Sequence, residues 1–471
     1  MKIGLVSLDH LRDWHGTTRL IDRIAAEMTA RGHEAAIIAH EGLASSKVPV
    51  SRREYPHELI TLDLTGPAGR RASREKIAAA GMDVCVASVG NNLIMHMPGL
   101  LRGSGIPFIF GDPHDPRVRT FAGWQPYESY GALACADAIQ TLLPQYIAFY
   151  PQELRPRVVE IGVPAPPFAA VDFAARRSRA TRTVIAVGRF NETMKRLSLL
   201  LRAFALLHKD FPDWRLKLVG DGPYWEYYHE MARQLGIKGR VDFTGAVPDP
   251  GVHYSDADIF CLPSLIEGFG LVYVEAAAYA LPLAGYRFCV PSASFIGPDM
   301  GALADENTPE SLAEALRELM KLPPEQREQT GLRARDALLT RYDSKLIFDK
   351  WEKLIIQTRD RVKQAGTTVL DKIWGDKMQT TGELKHIGPQ WDGLGPDSPV
   401  WTKAVLEAAA AEISARDDPM KHHGHPNADA EAENIRLRCE LARLKEDYDR
   451  LEKTHNTLLA QYRAAAGKRR K

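Results

Sequence analysis

Residues Leu262–Tyr279 read LPSLIEGFGLVYVEAAAY, with two glutamates, Glu267 and Glu275, bracketing a Gly-Phe-Gly turn and the start of an apolar run. Ahead of it, Ala257–Pro263 (ADIFCLP) predicts a short buried strand ended by Pro263-Ser264. Behind it, Leu271–Ala280 is rich in Leu, Val and Ala and predicts a helix. The unit is strand, glycine loop, helix. Gly268 and Gly270 let the backbone approach a ligand because no Cβ intervenes. The helix opening at Leu271 offers unpaired N–H groups and the positive end of its dipole, which suit a phosphate. Glu267 in the loop and Glu275 a turn inside the helix reach different parts of one ligand, and a carboxylate accepts two sugar hydroxyls. In a chain that is 26% charged, two glutamates eight apart also arise by chance. Only their place in this unit gives them weight.

The chain has 471 residues, too many for one core, so two domains plus appendages are expected. It is 45% hydrophobic and 8% aromatic, the balance of a globular protein. A net charge of +1 supplies no global field for nucleic acid or a membrane. The five cysteines (Cys85, Cys135, Cys261, Cys289 and Cys439) are scattered and form no CxxC pair. That argues against disulfides and a cysteine zinc site and fits a reducing cytoplasm. The start, MKIGLVSLDH, is too short and too soon polar for a signal peptide, and no apolar run nears the roughly 20 residues of a membrane span. Any membrane contact would be peripheral.

Along the chain, strands are expected at Lys2–Ser7, Glu34–Ala39, Asp83–Ser88, Pro107–Phe110 and Asp137–Thr141. Helices are expected after the polar loop Asp9–Thr18, over Arg71–Ala80 and over Ser129–Cys135. Alternation of this kind implies a parallel sheet covered on both faces. Pro151–Phe168 is proline-rich and, with the basic segment Arg176–Arg179 beyond it, reads as a linker. A second series follows, with strands at Thr183–Gly188, Trp214–Gly220, Val241–Thr244, Ala257–Pro263 and Pro282–Tyr286. Its helices fall at Leu197–Lys209, Trp225–Leu235, Leu271–Ala280, Pro309–Leu322 and Pro324–Tyr342. Ser344–Lys363 predicts an amphipathic helix carrying Ile347, Trp351, Leu354 and Ile355 on one side.

Residues 364–427 then read as a linker with an alanine-rich helix at Thr402–Ser414 and a His422, His423, His425 cluster, which reads as a solvated loop. From 428 to 466, Leu437, Leu441, Leu444, Tyr448, Leu451, Leu458 and Tyr462 follow three-four spacing, with His455 filling one position. Such a stripe predicts a coiled coil, and hence a homo-oligomer or a helical partner docked through 434–462. The terminal GKRRK reads as a solvated tail, with attraction to phosphate or lipid as the other reading.

Three further features lie beside the opening stretch. Arg189-Phe-Asn-Glu-Thr-Met-Lys195 follows a strand and places two cations at its carboxyl end, where they could clamp a diphosphate or simply be solvated. Val219-Gly-Asp-Gly-Pro223 is a second glycine turn after a strand, and Val241–Val247 (VDFTGAV) leads into a polar loop. In order and spacing these residues closely resemble the retaining glycosyltransferases of family 4. Gly188-Arg189-Phe190…Lys195, Leu218–Pro223, Val241–Gly245 and Ala257–Ala276 each meet a segment of that signature. The resemblance is strong over Thr183–Tyr342 and looser over Met1–Thr141.

The resemblance implies the α/β GT-B fold, two Rossmann-like domains facing across a cleft, here with a C-terminal helical extension and coiled coil. On that reading 1–165 is the acceptor-side domain, 180–342 binds the nucleotide sugar, and the helix 343–363 crosses back to the first. It further implies that Arg189 and Lys195 hold the donor diphosphate. Glu275 would bind the ribose, and Glu267 with the backbone of Gly268, Phe269, Gly270 and Leu271 would hold the transferred sugar. Gly222 and Val247 would complete the donor site. His15-Gly16-Thr17 stands where the family often has a Gly-Gly loop, so only Gly16 carries over. His114, in GDPHDP, matches a family histidine that approaches the donor sugar, displaced by about a residue. As a loop histidine orienting its Pro-rich turn it would need no such role.

The implied chemistry moves a hexose from a UDP- or GDP-sugar with retention, through an ion-pair-like transition state. Arg189, Lys195 and the helix at Leu271 neutralise the leaving diphosphate, so neither a metal nor a cofactor is expected. Asp256-Ala-Asp258 has the letters of a metal motif but reads as a turn into the strand. The competing readings are a GT-B epimerase, a phosphorylase, and an assembly subunit that binds nucleotide sugar while its coiled coil serves as a scaffold. The acceptor, a glycan, a lipid-linked molecule or another hydroxyl, is not legible. Arg52-Arg53, Arg70-Arg71 and Arg74 form basic spots that fit an acidic or lipid-linked acceptor or an ordinary solvated face.

Overall fold

The computed structural model describes residues 1–7, 16–40, 57–64, 66–88, 96–116, 133–150 and 152–373. The helix expected at Ser129–Cys135 lies mostly outside them. So, entirely, do Arg52-Arg53, the helix at Thr402–Ser414, the histidine cluster and the coiled coil of 428–466 with its 434–462 interaction stretch.

Two parallel sheets carry the chain. The first holds β1 (Lys2–Val6), β2 (Glu34–His40), β3 (Glu58–Leu62), β4 (Val84–Ser88), β5 (Phe108–Gly111), β6 (Ala138–Thr141) and β7 (Val158–Glu160). Their order is β3-β2-β1-β4-β5-β6-β7. The second holds β8 (Arg182–Val187), β9 (Trp214–Val219), β10 (Val241–Gly245), β11 (Ile259–Leu262), β12 (Leu283–Tyr286) and β13 (Gly301–Ala304). Its order is β10-β9-β8-β11-β12-β13. Both reverse direction beside their first strand, at β1/β4 and β8/β11. Such a reversal opens a crevice beyond the carboxyl ends of the strands, where α/β sheets bind ligands. Two such halves are the GT-B architecture.

The strands form because they can be buried on both sides. In β8, Val184 and Ala186 enter one apolar cluster while Ile185 and Val187 enter the other. A near-continuous apolar run is the signature of a strand covered on both faces. Three strands escaped the sequence reading: β3, β7 and β13. The segment 151–168, read as linker, in part completes the first sheet, because Val158 and Val159 pair with Ile139 and Gln140 of β6. The basic segment is likewise structured. Asp172 caps the helix Phe173–Ser178 by accepting from the Ala175 amide at 2.9 Å. Asp258 is a buried anchor, accepting from the Thr183 amide at 2.9 Å amid Arg179, Arg182 and Arg327.

The helix Ser344–Ala365 begins at an Asp343 cap and ends at Gly366, whose φ is 69°. It buries Ile347, Phe348, Trp351, Leu354 and Ile355. Arg31, just past the helix Gly16–Ala30, reaches Asp349 at 2.7 Å and Glu352 at 2.8 Å, and His33 meets Glu352 at 2.9 Å. Lys350 pairs with Glu160 of β7 at 2.9 Å. The helix is thus fastened to the first half although it follows the second in sequence. Where the chain crosses over, the Ala165 amide donates to the Tyr342 carbonyl at 2.8 Å. The Tyr342 ring packs on Phe269 at 4.9 Å between ring centres.

The described cysteines, Cys85, Cys135, Cys261 and Cys289, are all buried. Burial pushes the Cys85 thiol up to about 12, so it stays protonated and unreactive. No helix among the described residues is long and apolar enough to cross a membrane.

Candidate active site

The two strands at the reversal of the second sheet each feed one loop of the site. β8 runs into 188–196 and β11 into 263–270. The first loop is braced from within. The Lys195 amide donates to the Asn191 carbonyl at 2.8 Å, and the Glu192 carboxylate accepts from the hydroxyls of Ser198 and, at 2.8 Å, Tyr228. The second loop is tied to the first by the Leu265 amide, which donates to the Met194 carbonyl at 2.8 Å.

The glycine turn after β9 packs against the first loop. A Cβ built on Gly220 (φ 138°) would lie 1.9 Å from the Gly188 carbonyl oxygen, and one on Gly222 2.4 Å from that of Phe190. Gly220→Ala therefore combines backbone strain with an overpacked contact, and we expect it to cost about 2–5 kcal/mol in chemical denaturation. A loss below about 0.5 kcal/mol would show that the turn does not bear on the cation loop.

On this support Lys195 Nζ meets Glu267 Oε1 at 2.5 Å, and the same oxygen accepts from the Ser264 hydroxyl at 2.5 Å. Glu267 is 7% exposed. The lysine stem runs over Gly188, where an added Cβ would come 3.4 Å from Lys195 Cε. An ammonium with three donors is thus fixed in place while making one carboxylate contact. Arg189 is exposed and its side chain makes no hydrogen bond or ion pair with the described residues. At the end of β8 it is available to an anion.

After the Gly-Phe-Gly turn the helix Leu271–Ala278 opens at Gly270, and no side chain caps its N-terminus. Its first amides are therefore donors at the positive end of a helix dipole. The Phe269 ring is turned away into the cluster of Phe295 and Tyr342, with ring centres at 5.2 and 4.9 Å. The expectation for Phe269 concerned its backbone, which this packing of the ring leaves unaltered. Leu271 is half-buried, as is Val247 on the loop after β10. Glu275 lies one turn into the helix and accepts from the Tyr254 hydroxyl at 3.1 Å.

From the first half, the loop after β5 brings His114 to the glycine turn. A Cβ on Gly268 would sit 2.5 Å from the Pro113 carbonyl oxygen and 3.4 Å from His114 Cα. Gly268 is thus required by close approach, and His114 flanks the loop of Glu267. Gly16 opens the helix Gly16–Ala30. Arg19, in the first turn of that helix, is near enough to Glu275 to favour its charged form. The structure therefore gathers Lys195, Glu267, Gly268 and His114 at one place, with Glu275 and Arg19 beside it.

Residues 171–337 match the family model of glycosyl transferases group 1. That stretch of the chain is similar to the group 1 glycosyl transferases. An uncharacterized glycosyltransferase of Haemophilus influenzae is 29% identical over 179 residues, 37% of this chain and 49% of that protein. Matches to two further relatives span 22% and 35% of their lengths, so the chain covers about half or less of these three. A phosphatidyl-myo-inositol mannosyltransferase of Mycolicibacterium smegmatis is 25% identical over 406 residues, 81% of this chain and 100% of that one. Among solved structures, Anabaena Alr3699/HepE in complex with UDP and glucose superimposes with a TM-score of 0.61 at 16% identity, over 75% of this chain and 98% of that one. That likeness shows the GT-B fold.

Four residues of the candidate site carry no local sequence signal. Ser264 was read only as a strand terminator, and Tyr254 only as part of a polar loop. Arg19 and Tyr146 come from the other half of the chain. Tyr146 is fully buried, and its hydroxyl lies 2.7 Å from the carbonyl oxygens of both Glu267 and Gly268.

Burial pushes the Glu275 carboxyl above its ordinary range, and Asp249 adds to the rise. The Tyr254 hydroxyl, Arg19 and Lys195 pull it back. A raised folded-state value means that Glu275 favours folding below its unfolded value of about 4.5 and loses that contribution as pH rises through the folded value. Glu275→Gln removes the titration but keeps an acceptor for Tyr254. The difference in Tm between E275Q and the parent should therefore be more favourable at pH 7 than at pH 4. A difference that does not vary with pH would mean that the carboxyl titrates alike in both states.

Proposed function

We propose that this chain is a group 1 glycosyl transferase that moves a hexosyl group from a UDP- or GDP-sugar to an acceptor hydroxyl with retention of anomeric configuration. One observation carries the reading. At the reversal of the second sheet, a lysine held by a buried carboxylate adjoins an uncapped helix N-terminus and an exposed arginine. That is a prebuilt site for a diphosphate joined to a sugar.

In the proposed reaction the bond between the anomeric carbon and the diphosphate oxygen breaks, and the electron pair leaves with the diphosphate. Lys195, Arg189 and the amides at Leu271 stabilise the developing charge, as preorganised donors do. The acceptor oxygen bonds to the anomeric carbon from the face the diphosphate leaves, and the acceptor proton passes to the leaving diphosphate. Glu267 and His114 flank the transferred sugar, and Glu275 accepts the ribose hydroxyls. These residues can supply the charge stabilisation without a metal or cofactor.

The named relatives support a sugar-transfer reading, and HepE holds UDP on the same fold. The acceptor is open between a glycan and a lipid-linked molecule. Homo-oligomerisation or helical docking through 434–462, a cytoplasmic location and peripheral membrane contact remain parts of the proposal.

A thermal-shift screen of UDP- and GDP-sugars tests it. A true donor at 100 times its Kd adds about 2.7 kcal/mol of stability and raises Tm. No shift with any nucleoside diphosphate sugar, at millimolar concentration, would overturn the proposal.

A further inference from the structure

We propose that the 3₁₀ helix Pro144–Phe149, with Tyr146 inside it and Tyr150 at its end, is a bracket that sets the Glu267 turn and the His114 loop against each other. This rests on the reading of Glu267 and His114 as residues that flank the donor sugar. Tyr146 and Tyr150 are then positioning residues, touching neither donor nor acceptor.

The two tyrosines lie four residues apart, are 0% and 1% exposed, and each reaches a different loop. The Tyr146 hydroxyl has one proton and shares it between the Glu267 and Gly268 carbonyls, both at 2.7 Å. Those carbonyls belong to the two consecutive peptide groups Glu267–Gly268 and Gly268–Phe269, which carry the acid into the glycine turn, so the hydroxyl fixes the orientation of both. Four residues on, the Tyr150 hydroxyl donates to the Asp112 carboxylate. Asp112, 2% exposed, opens the turn that carries Pro113 and His114, and its amide donates to the Gln140 carbonyl at 3.0 Å.

The loops held in this way touch, since Gly268 has no room for a Cβ beside Pro113. The bracket itself is locked. Arg155 donates from Nε to the Tyr150 carbonyl at 2.9 Å and from Nη2 to the Ala148 carbonyl at 2.7 Å, satisfying the end of the helix. A core tyrosine with a merely structural role needs one partner for its hydroxyl. Here one short helix of the first half grips the acid turn of the second, 121 residues further on, and the histidine loop of its own half. Because a misplacement of about 1 Å can cost on the order of 10²-fold in rate, small shifts in this contact matter.

Phenylalanine removes each hydroxyl and keeps the ring. Amide hydrogen exchange of the full chain, followed by mass spectrometry, reads the two loops separately. In Tyr146→Phe, exchange over 264–271 should rise at least tenfold while 108–116 stays within twofold of the parent. In Tyr150→Phe the two segments should respond the other way round. Unchanged exchange, or an equal rise in both segments from either variant, would overturn the bracket. The second readout uses the donor selected by the thermal-shift screen. In Tyr146→Phe, kcat should fall at least tenfold with donor KM within threefold, whereas a structural role lowers Tm and leaves kcat intact at 25 °C. An unchanged kcat would overturn the positioning role. If no nucleoside diphosphate sugar is bound, the transfer reading fails, and the exchange experiment still decides whether the tyrosines hold the loops.

Discussion

Lys195→Ala lowers kcat for sugar transfer by about 10²–10³, the largest effect expected of any single substitution in the site. The lysine is fixed by three features: the short contact with Glu267, the stem lying over Gly188, and the braced 189–195 loop. Charge held in place before the reaction needs no reorganisation when the diphosphate leaves, and this distinguishes a catalytic cation from a solvated one. The substitution acts twice, because among the described residues Glu267 then keeps only the Ser264 hydroxyl as a side-chain partner. Arg189→Ala, which removes an exposed and unbraced cation, should cost no more than about tenfold and act mainly on donor KM. Steady-state kinetics with the donor found by thermal shift separates the two. If Arg189 proved the more costly, the lysine would be an anchor for Glu267 and not the cation that meets the leaving group.

Glu275→Ala should raise donor KM by about 30-fold or more and lower kcat/KM by about 10². Hydrogen bonds to a charged group contribute about 1.5–3 kcal/mol each, and a tenfold change corresponds to about 1.4 kcal/mol. A carboxylate that accepts both ribose hydroxyls in both ground and transition state contributes uniform binding, so the loss should fall on KM. A second loss falls on the fold, since the Tyr254 hydroxyl gives up its acceptor. Glu275→Gln should retain part of both functions. Equal donor KM in the parent and Glu275→Ala would remove the ribose assignment and leave Glu275 as a partner for Tyr254 alone.

Much of the second half was legible where an apolar strand ends at a glycine or proline, as in TVIAVG and DIFCLP, and where polar and apolar residues alternate up to a glycine, as in RLKLVG. The strands that escaped notice have a physical reason for it. β7 is three residues long and follows a proline-rich turn, and only pairing with β6 makes it a strand. β13 is GALA, with little side chain to read.

Arg189 and Lys195 were visible as two cations on one loop. That Lys195 faces Glu267, 72 residues away, depends on the β8/β11 adjacency. Phe269 was named for its backbone alone, and the place of its ring in the aromatic cluster at the crossover had no sequence signal. Tyr146, Tyr254 and Arg19 could not be found from spacing. Each acts through a contact that exists only once the halves and their sheets are assembled.

The most direct test of the site is the structure of the chain crystallised with its donor, or with the corresponding nucleoside diphosphate. The diphosphate is expected within hydrogen-bond distance of Lys195 Nζ and the amides of Gly270 and Leu271, with the ribose hydroxyls on Glu275. A nucleotide bound elsewhere, or one whose diphosphate lies away from Lys195, would contradict the account.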